Sequence, residues 1–180
     1  MSCLPNTPIA SNLLSATNST DLGWIDLTSV STSALSQYYP VAPTVMTFEG
    51  TANTTNQHMI LRQVELEETA TSSANIKKCP VHLYLYTNSS PGTPTAGAVY
   101  NGSTTNLIAV VPIAATDYVR VSDTVWVARV NPARYYRTTN SGSTAGFLYG
   151  IVISNSGTSV TYAASAGIRV KVITEVGTAL

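Results

Sequence analysis

The chain holds two histidines, His58 and His82, and nine acidic side chains spread along 180 residues. Imidazoles bind zinc when paired with each other or with closely spaced cysteines. No H-x-x-x-H or C-x-x-C pattern occurs, and His82 alternates with Tyr84 and Tyr86 as on a sheet surface. Glu65, Glu67 and Glu68 are the densest acidic cluster. Glu65 and Glu67 share one face of a candidate strand beside Val64 and Leu66, so a solvated face is expected there ahead of a calcium site. Gly142-Ser-Thr-Ala-Gly146 matches G-x-T-x-G. A nucleophile elbow also needs a strand before it, a helix after it, and His and Asp partners. This segment follows Asn140-Ser141 and runs into an apolar strand, which reads as a hairpin loop. Glycosidase carboxylates stand roughly 5–9 Å apart. Asp21, Asp26, Asp117 and Asp123 are candidates without a distinctive pattern, and the last two flank short turns, where Asp bonds to backbone. Glycine motifs that cradle phosphate are absent. No catalytic residue, cofactor site or metal site is expected, and the chain reads as a protein that is not an enzyme.

The remaining chemistry is that of contact. Tyrosine outnumbers the other aromatics, ten against two phenylalanines and two tryptophans. Its apolar ring and polar tip suit interfaces. Arg134-Tyr135-Tyr136-Arg137 sets two guanidiniums around two phenols. It reads equally as a strand edge with ordinary cation–π packing or as a contact patch, since Arg and Tyr are favoured hot-spot residues. Tyr38-Tyr39 before Pro40 is a similar candidate. Trp24, Ile25 and Leu27 are the expected anchors of the N-terminal segment, because ordering a chain costs about 1–2 kcal/mol per residue and only segments that bury side chains stay fixed.

Composition narrows the classes further. Only 10% of residues are charged, against roughly 25% in an ordinary soluble domain, and about a quarter are Ser or Thr. Nine basic residues balance nine acidic ones. A nucleic-acid binder usually shows a basic excess, so no nucleic-acid partner is expected. Cys3 and Cys79 are too few and too far apart for a disulfide framework and read as free thiols of a reducing compartment. The start, MSCLPNTPIA, has neither the basic n-region nor the apolar h-region of a secretory signal. No run approaches the ~18 apolar residues of a membrane span. The expectation is synthesis in a cytoplasm with no membrane partner. The sequons at Asn18, Asn53, Asn88 and Asn101 carry little weight without a secretion signal.

The elements that position these residues are strands. Residues 1–44 contain Pro5, Pro8, Pro40 and Pro43 with little periodicity, and read as an irregular N-terminal arm or wrap with a short strand near Leu22–Thr28. Leu13–Ala16 and Ser33–Gln37 are candidate helical turns. Residues 45–180 read as one β-sandwich domain. Candidate strands are Val45–Glu49, Met59–Glu67, Val81–Thr87, Leu107–Ile113, Thr124–Val130, Phe147–Ser154, Ser159–Ala163 and Ile168–Val176. Val81, Leu83 and Leu85 oppose His82, Tyr84 and Tyr86, and Ile168, Val170 and Val172 oppose Arg169 and Lys171. Period-two alternation marks a strand with one buried face. Leu107-Ile-Ala-Val-Val111 is continuously apolar, which fits a strand covered on both faces. Ser90–Pro94, Asn101-Gly102, Asn140–Gly142 and Asn155–Gly157 supply turns. About eight such strands imply an all-β, antiparallel sandwich or jelly roll.

In sequence order, Val64-Glu-Leu66, Leu83-Tyr-Leu-Tyr86, Leu107-Ile-Ala-Val-Val-Pro-Ile113, Leu148-Tyr-Gly-Ile-Val152 and Arg169-Val-Lys-Val172 resemble a family of tailed-bacteriophage virion proteins. The resemblance covers residues 58–176 and leaves the arm unmatched. Ala109 stands where relatives would carry Gly. These are short strand motifs, not catalytic signatures. The resemblance implies a small β-sandwich that decorates or cements the outside of a major capsid shell, often as a homotrimer, with no active-site residues to transfer. A neutral, charge-poor surface agrees in kind, since Lys and Glu are depleted at interfaces and such a surface is poorly soluble alone. The alternative is a carbohydrate- or receptor-binding module of a virion fibre or baseplate, which requires aromatics beside carboxylates on a concave face. A polysaccharide hydrolase comes third.

Overall fold

The structure is a computed structural model that describes residues 19–50, 57–87, 91–139 and 146–177. The described strands are β1 (Ser19–Asp26), β2 (Met46–Phe48), β3 (His58–Thr69), β4 (Val81–Tyr86), β5 (Leu107–Ile113), β6 (Tyr118–Ser122), β7 (Val125–Val130), β8 (Arg134–Arg137), β9 (Leu148–Ser154) and β10 (Gly167–Val176). They pair antiparallel in two sheets. One runs β1-β10-β3-β7-β6, with β8 also on β3; the other runs β2-β9-β4-β5. This is the expected all-β sandwich.

Alternation sets which side chains meet between the sheets. Leu61, Val64 and Leu66 of β3 and Ile168, Val170 and Val172 of β10 face Leu83 and Leu85 of β4, Val111 and Ile113 of β5, and Leu148 and Val152 of β9 in one core. Each such side chain contributes about 1.5–3 kcal/mol on burial. The long strand β3 needs two neighbours to cover one edge. β7 pairs with Val64–Thr69 and β8 with His58–Leu61. The link Asn131-Pro132-Ala133 breaks the covering strand in two. Pro132 has no N–H for a ladder, and Ala133 adopts a φ of 46°.

Residues 19–44, expected as an arm or wrap, build into the sandwich. β1 lies along β10, with a register shift where Gly23 takes a φ of 77° and donates its N–H to Asp21 Oδ1 at 2.9 Å. The stretch before β2 follows β9. Leu35 bridges Val160, Pro40 bridges Ile153, and the Val41 N–H donates to Val152 O at 2.9 Å. Leu35, Val41 and Ala42 are buried.

Several expectations are revised. Ser159–Ala163 is no strand; only Val160 bridges, to Leu35. Tyr118–Ser122 is a strand although its sequence shows one buried residue, Tyr118. Ser33–Gln37 is not helical; 3₁₀ turns occur instead at Ser73–Asn75 and Ala115–Asp117. The Leu13–Ala16 turn and most of the Gly142–Gly146 loop fall outside the described residues. β5 is not covered on both faces: it ends its sheet and exposes Val110.

Glu68 points into the core side of β3 and is fully buried. Its carboxylate accepts the backbone N–H of Lys77 at 2.6 Å and of Lys78 at 2.8 Å. This clips the turn leading to β4, where Lys78 holds a φ of 47°. Beyond the clip, the Tyr118 hydroxyl donates to Cys79 O at 3.1 Å.

Candidate protein-docking surfaces

The outer face of the six-stranded sheet carries an ion-pair layer across β7, β3, β10 and β1. Arg129 bonds Glu65 at 2.8 Å; Lys171 meets Glu65 at 3.0 Å and Asp21 at 3.3 Å; Arg169 bonds Glu67 at 2.9 Å; Arg62 pairs with Glu175. Glu65 and Glu67 are therefore buried under their partners rather than solvated, which corrects the sequence expectation. Trp24 lies beneath Arg169 and Lys171, its ring 4.7 Å from the guanidinium carbon and 5.2 Å from Nζ. Burial pulls the Lys171 ammonium down, but Glu65 and Asp21 outweigh it and hold it above the ordinary lysine value.

The N-terminal candidates are thus engaged within the fold. Ile25 packs on the core and Leu27 belongs to it, with the Leu27 N–H bonded to Ile168 O at 2.8 Å. Both residues hold this segment to its own sandwich. Trp24 sits between Asp21 and Asp26, and the cations packed on its ring compete with any stacking sugar there. Tyr38 and Tyr39 lie beside β9. Tyr38 is 48% exposed with a φ of 69°, and Tyr39 is half-buried against the core.

Arg134–Arg137 is a strand, β8, and its alternation splits the tyrosines. Tyr136 turns inward and is buried; Tyr135 is 72% exposed between the exposed Arg134 and Arg137. The structure therefore does not bring Tyr38 and Tyr39 together with the β8 patch, because they flank different sheets.

Exposed valines stand on the edge strands. Val119 and Val121 of β6 are 68% and 66% exposed, and Val110 of β5 is 41% exposed. β6 ends one sheet, β5 ends the other, and β8 pairs on one side only. β5 packs beside β7, as β1 packs beside β2, so these three open edges share one flank of the sandwich. Sequence reasoning missed this flank. Val119-Arg-Val121 is a short alternation that could have revealed β6.

Tyr84, Tyr86 and Tyr100 form a second cluster absent from the sequence expectations. The Tyr84 and Tyr100 rings meet edge-on at 5.9 Å, the Tyr86 and Tyr100 hydroxyls lie 3.2 Å apart, and Tyr100 donates to Pro91 O at 2.6 Å. These bonds hold the β4–β5 connection over the outer face of the small sheet. Burial is the main force raising the phenols of Tyr86, Tyr100, Tyr118, Tyr136 and Tyr162 above the ordinary tyrosine value. Between that value, about 10, and the raised ones, the fold binds more protons than the unfolded chain. Stability therefore falls as pH rises above about 10. These five tyrosines are expected to ionise together with unfolding, as a step in tyrosinate absorbance that coincides with loss of the β circular-dichroism signal. Complete ionisation of all tyrosines with the fold intact would contradict their burial.

Among the described residues, no group of three or more His, Cys, Asp or Glu is placed to hold a metal ion. No protein-family model matches the chain, and no curated protein matches it. Among solved structures, the chain is similar to one described as the structure of a marine algae virus of the order Picornavirales. Identity is 12%, the match covers 89% of this chain and 69% of that chain, and the TM-score is 0.29. A likeness this low carries no inference about function.

Proposed function

We propose that this chain is a structural virion protein that binds the outside of a major capsid shell and stabilises it as a decoration or cement protein. It acts on the shell as a homotrimer, is made in the host cytoplasm, and engages protein rather than nucleic acid or membrane. It turns over no substrate. The observation that carries the reading is the flank where Val110, Val119, Val121 and Tyr135 stand exposed beside three open strand edges. Solvent-facing apolar side chains at unpaired edges favour coverage by another protein. Repetition of a modest contact over a shell would multiply its effect. Cations packed on the Trp24 ring disfavour it as a sugar platform, which weakens the carbohydrate-binding alternative.

The test is binding of the purified protein to assembled, mature phage heads, followed by co-sedimentation and thermal challenge. The protein is expected to co-sediment and to raise the temperature at which heads release DNA. Tyr135→Ala is expected to weaken binding about tenfold while leaving the thermal unfolding of the free protein unchanged, since an exposed interface tyrosine is worth about 1–2 kcal/mol. A well-folded protein that ignores such heads sinks the proposal.

A further inference from the structure

β5 pairs with β4 on one side and, among the described residues, with no strand on the other. Its seven residues present an unpaired row of backbone N–H and C=O groups over roughly 20 Å. A groove of about 490 Å³ follows this row. Leu107–Pro112 form one wall, and Pro132 and Arg134 stand across from them. Residues from both faces of β5 line it, the inward Ala109 and Val111 as well as the outward Val110. The groove therefore tracks the strand's edge rather than either face.

Edges in stable monomers are blunted by charge, proline or shortness. β5 carries no charged residue, and its one proline, Pro112, sits near the end of the strand. β6, by comparison, carries Arg120, paired with Asp123. The charge that does reach the groove comes from outside β5. Arg62, Arg120, Arg129, Arg169 and Lys171 each have a carboxylate partner, whereas among the described residues Arg134, like Arg137, has none, and of these two only Arg134 lines the groove. All nine acidic residues of the chain are described, because residues 1–18, 51–56, 88–90, 140–145 and 178–180 contain no Asp or Glu. No side-chain carboxylate of this chain thus meets the Arg134 guanidinium at the mouth of an apolar groove.

We propose that β5 accepts an extended segment of a partner protein as a fifth strand of the small sheet, with an Asp or Glu of that segment paired to Arg134. Backbone bonds along the free edge supply affinity, and alternate apolar side chains of the incoming strand fill the groove. The carboxylate supplies register and selectivity. A second copy of β5 fits less well, because β5 has no acid to offer Arg134. Residues 1–18 lack one too. The inference goes beyond the shell reading and does not depend on it, since any assembly partner with such a segment would serve.

The experiment is titration of the full chain with an octapeptide library of alternating Val and Thr bearing a single Glu, each peptide matched by its Gln counterpart. The best Glu peptide is expected to bind about tenfold more tightly than its Gln match, and hydrogen exchange is expected to slow at β5 amides on binding. Arg134→Gln, at an exposed position, is expected to fold normally and to erase that tenfold difference. Backbone N-methylation of the peptide is expected to abolish binding. Equal affinity of Glu and Gln peptides, absence of binding by every peptide, or protection of β5 by self-association at micromolar concentration would each overturn the proposal.

Discussion

Glu68→Ala is expected to destabilise the protein by about 3 kcal/mol, read as a shift in the urea midpoint at unchanged slope. The substitution removes the acceptor for the part-buried Lys77 and Lys78 N–H groups, two bonds made to a charged acceptor and worth about 1.5–3 kcal/mol each. It also releases the turn that sets the register of β4. Glu68→Gln keeps the shape but turns an N–H₂ group toward one of the two donors, so it is expected to cost about 2 kcal/mol. The pH dependence separates this clip from a packing effect. Burial is the largest influence on the Glu68 carboxyl and raises it above the ordinary glutamate value, against the pull of the Lys77 and Lys78 backbone bonds. Between those two values the fold binds the extra proton, so this group's contribution to stability falls as pH rises through the window. The stability difference between wild type and Glu68→Gln should therefore change with pH above about 4.5. A difference that stays flat from pH about 4 to about 8 would remove the buried-carboxylate account.

Phe48→Ala is expected to cost about 4 kcal/mol, the upper part of the range for large-to-small core changes. Phe48 is fully buried on β2, a strand of three residues that pairs with β9 through Met46↔Gly150 and Phe48↔Leu148. Little else on β2 replaces it. Gly150 faces the same space: a Cβ there would lie 2.9 Å from Phe48 Cε2 and 3.1 Å from Met46 Cε. Gly150→Ala alone is therefore expected to cost about 1–3 kcal/mol from overpacking. In a Phe48→Leu background the added methyl gains room, and the double mutant should cost less than the two single changes added together. A double-mutant cycle in urea checks this; strict additivity would show that the ring and the glycine do not share a packing constraint.

The strands that could be read from sequence are those with one wet and one dry face. Val81, Leu83 and Leu85, and Ile168, Val170 and Val172, declare β4 and β10 because the intervening residues are polar or amphipathic. β6 escapes that logic, since Val119 and Val121 are apolar and exposed. β5 misleads in the opposite direction. Its apolar run implies cover on both faces, but side-chain periodicity says nothing about which backbone edge is left unpaired. Glu65 and Glu67 look solvated because their partners Arg129 and Arg169 come from 64 and 102 residues away. The short strand near Leu22–Thr28 is legible in sequence but its place in the sheet is not, because its partner β10 lies at the other end of the chain and Gly23 interrupts the alternation at the register shift. Within the candidate interface, the Arg-Tyr-Tyr-Arg pattern located an exposed strand, and the backbone alternation then assigned Tyr135 to solvent and Tyr136 to the core.

Cys79 gives the molecule an internal clock. Its thiol is fully enclosed beside Ser154, and burial pushes it above the ordinary cysteine value. Only the thiolate attacks alkylating reagents, so reaction must wait until that enclosure opens. In a Cys3→Ser chain with reagent in excess, the alkylation rate will report how often the enclosure around Cys79 opens, without denaturant. The same measurement made on a partner-bound sample will show how far docking slows that opening.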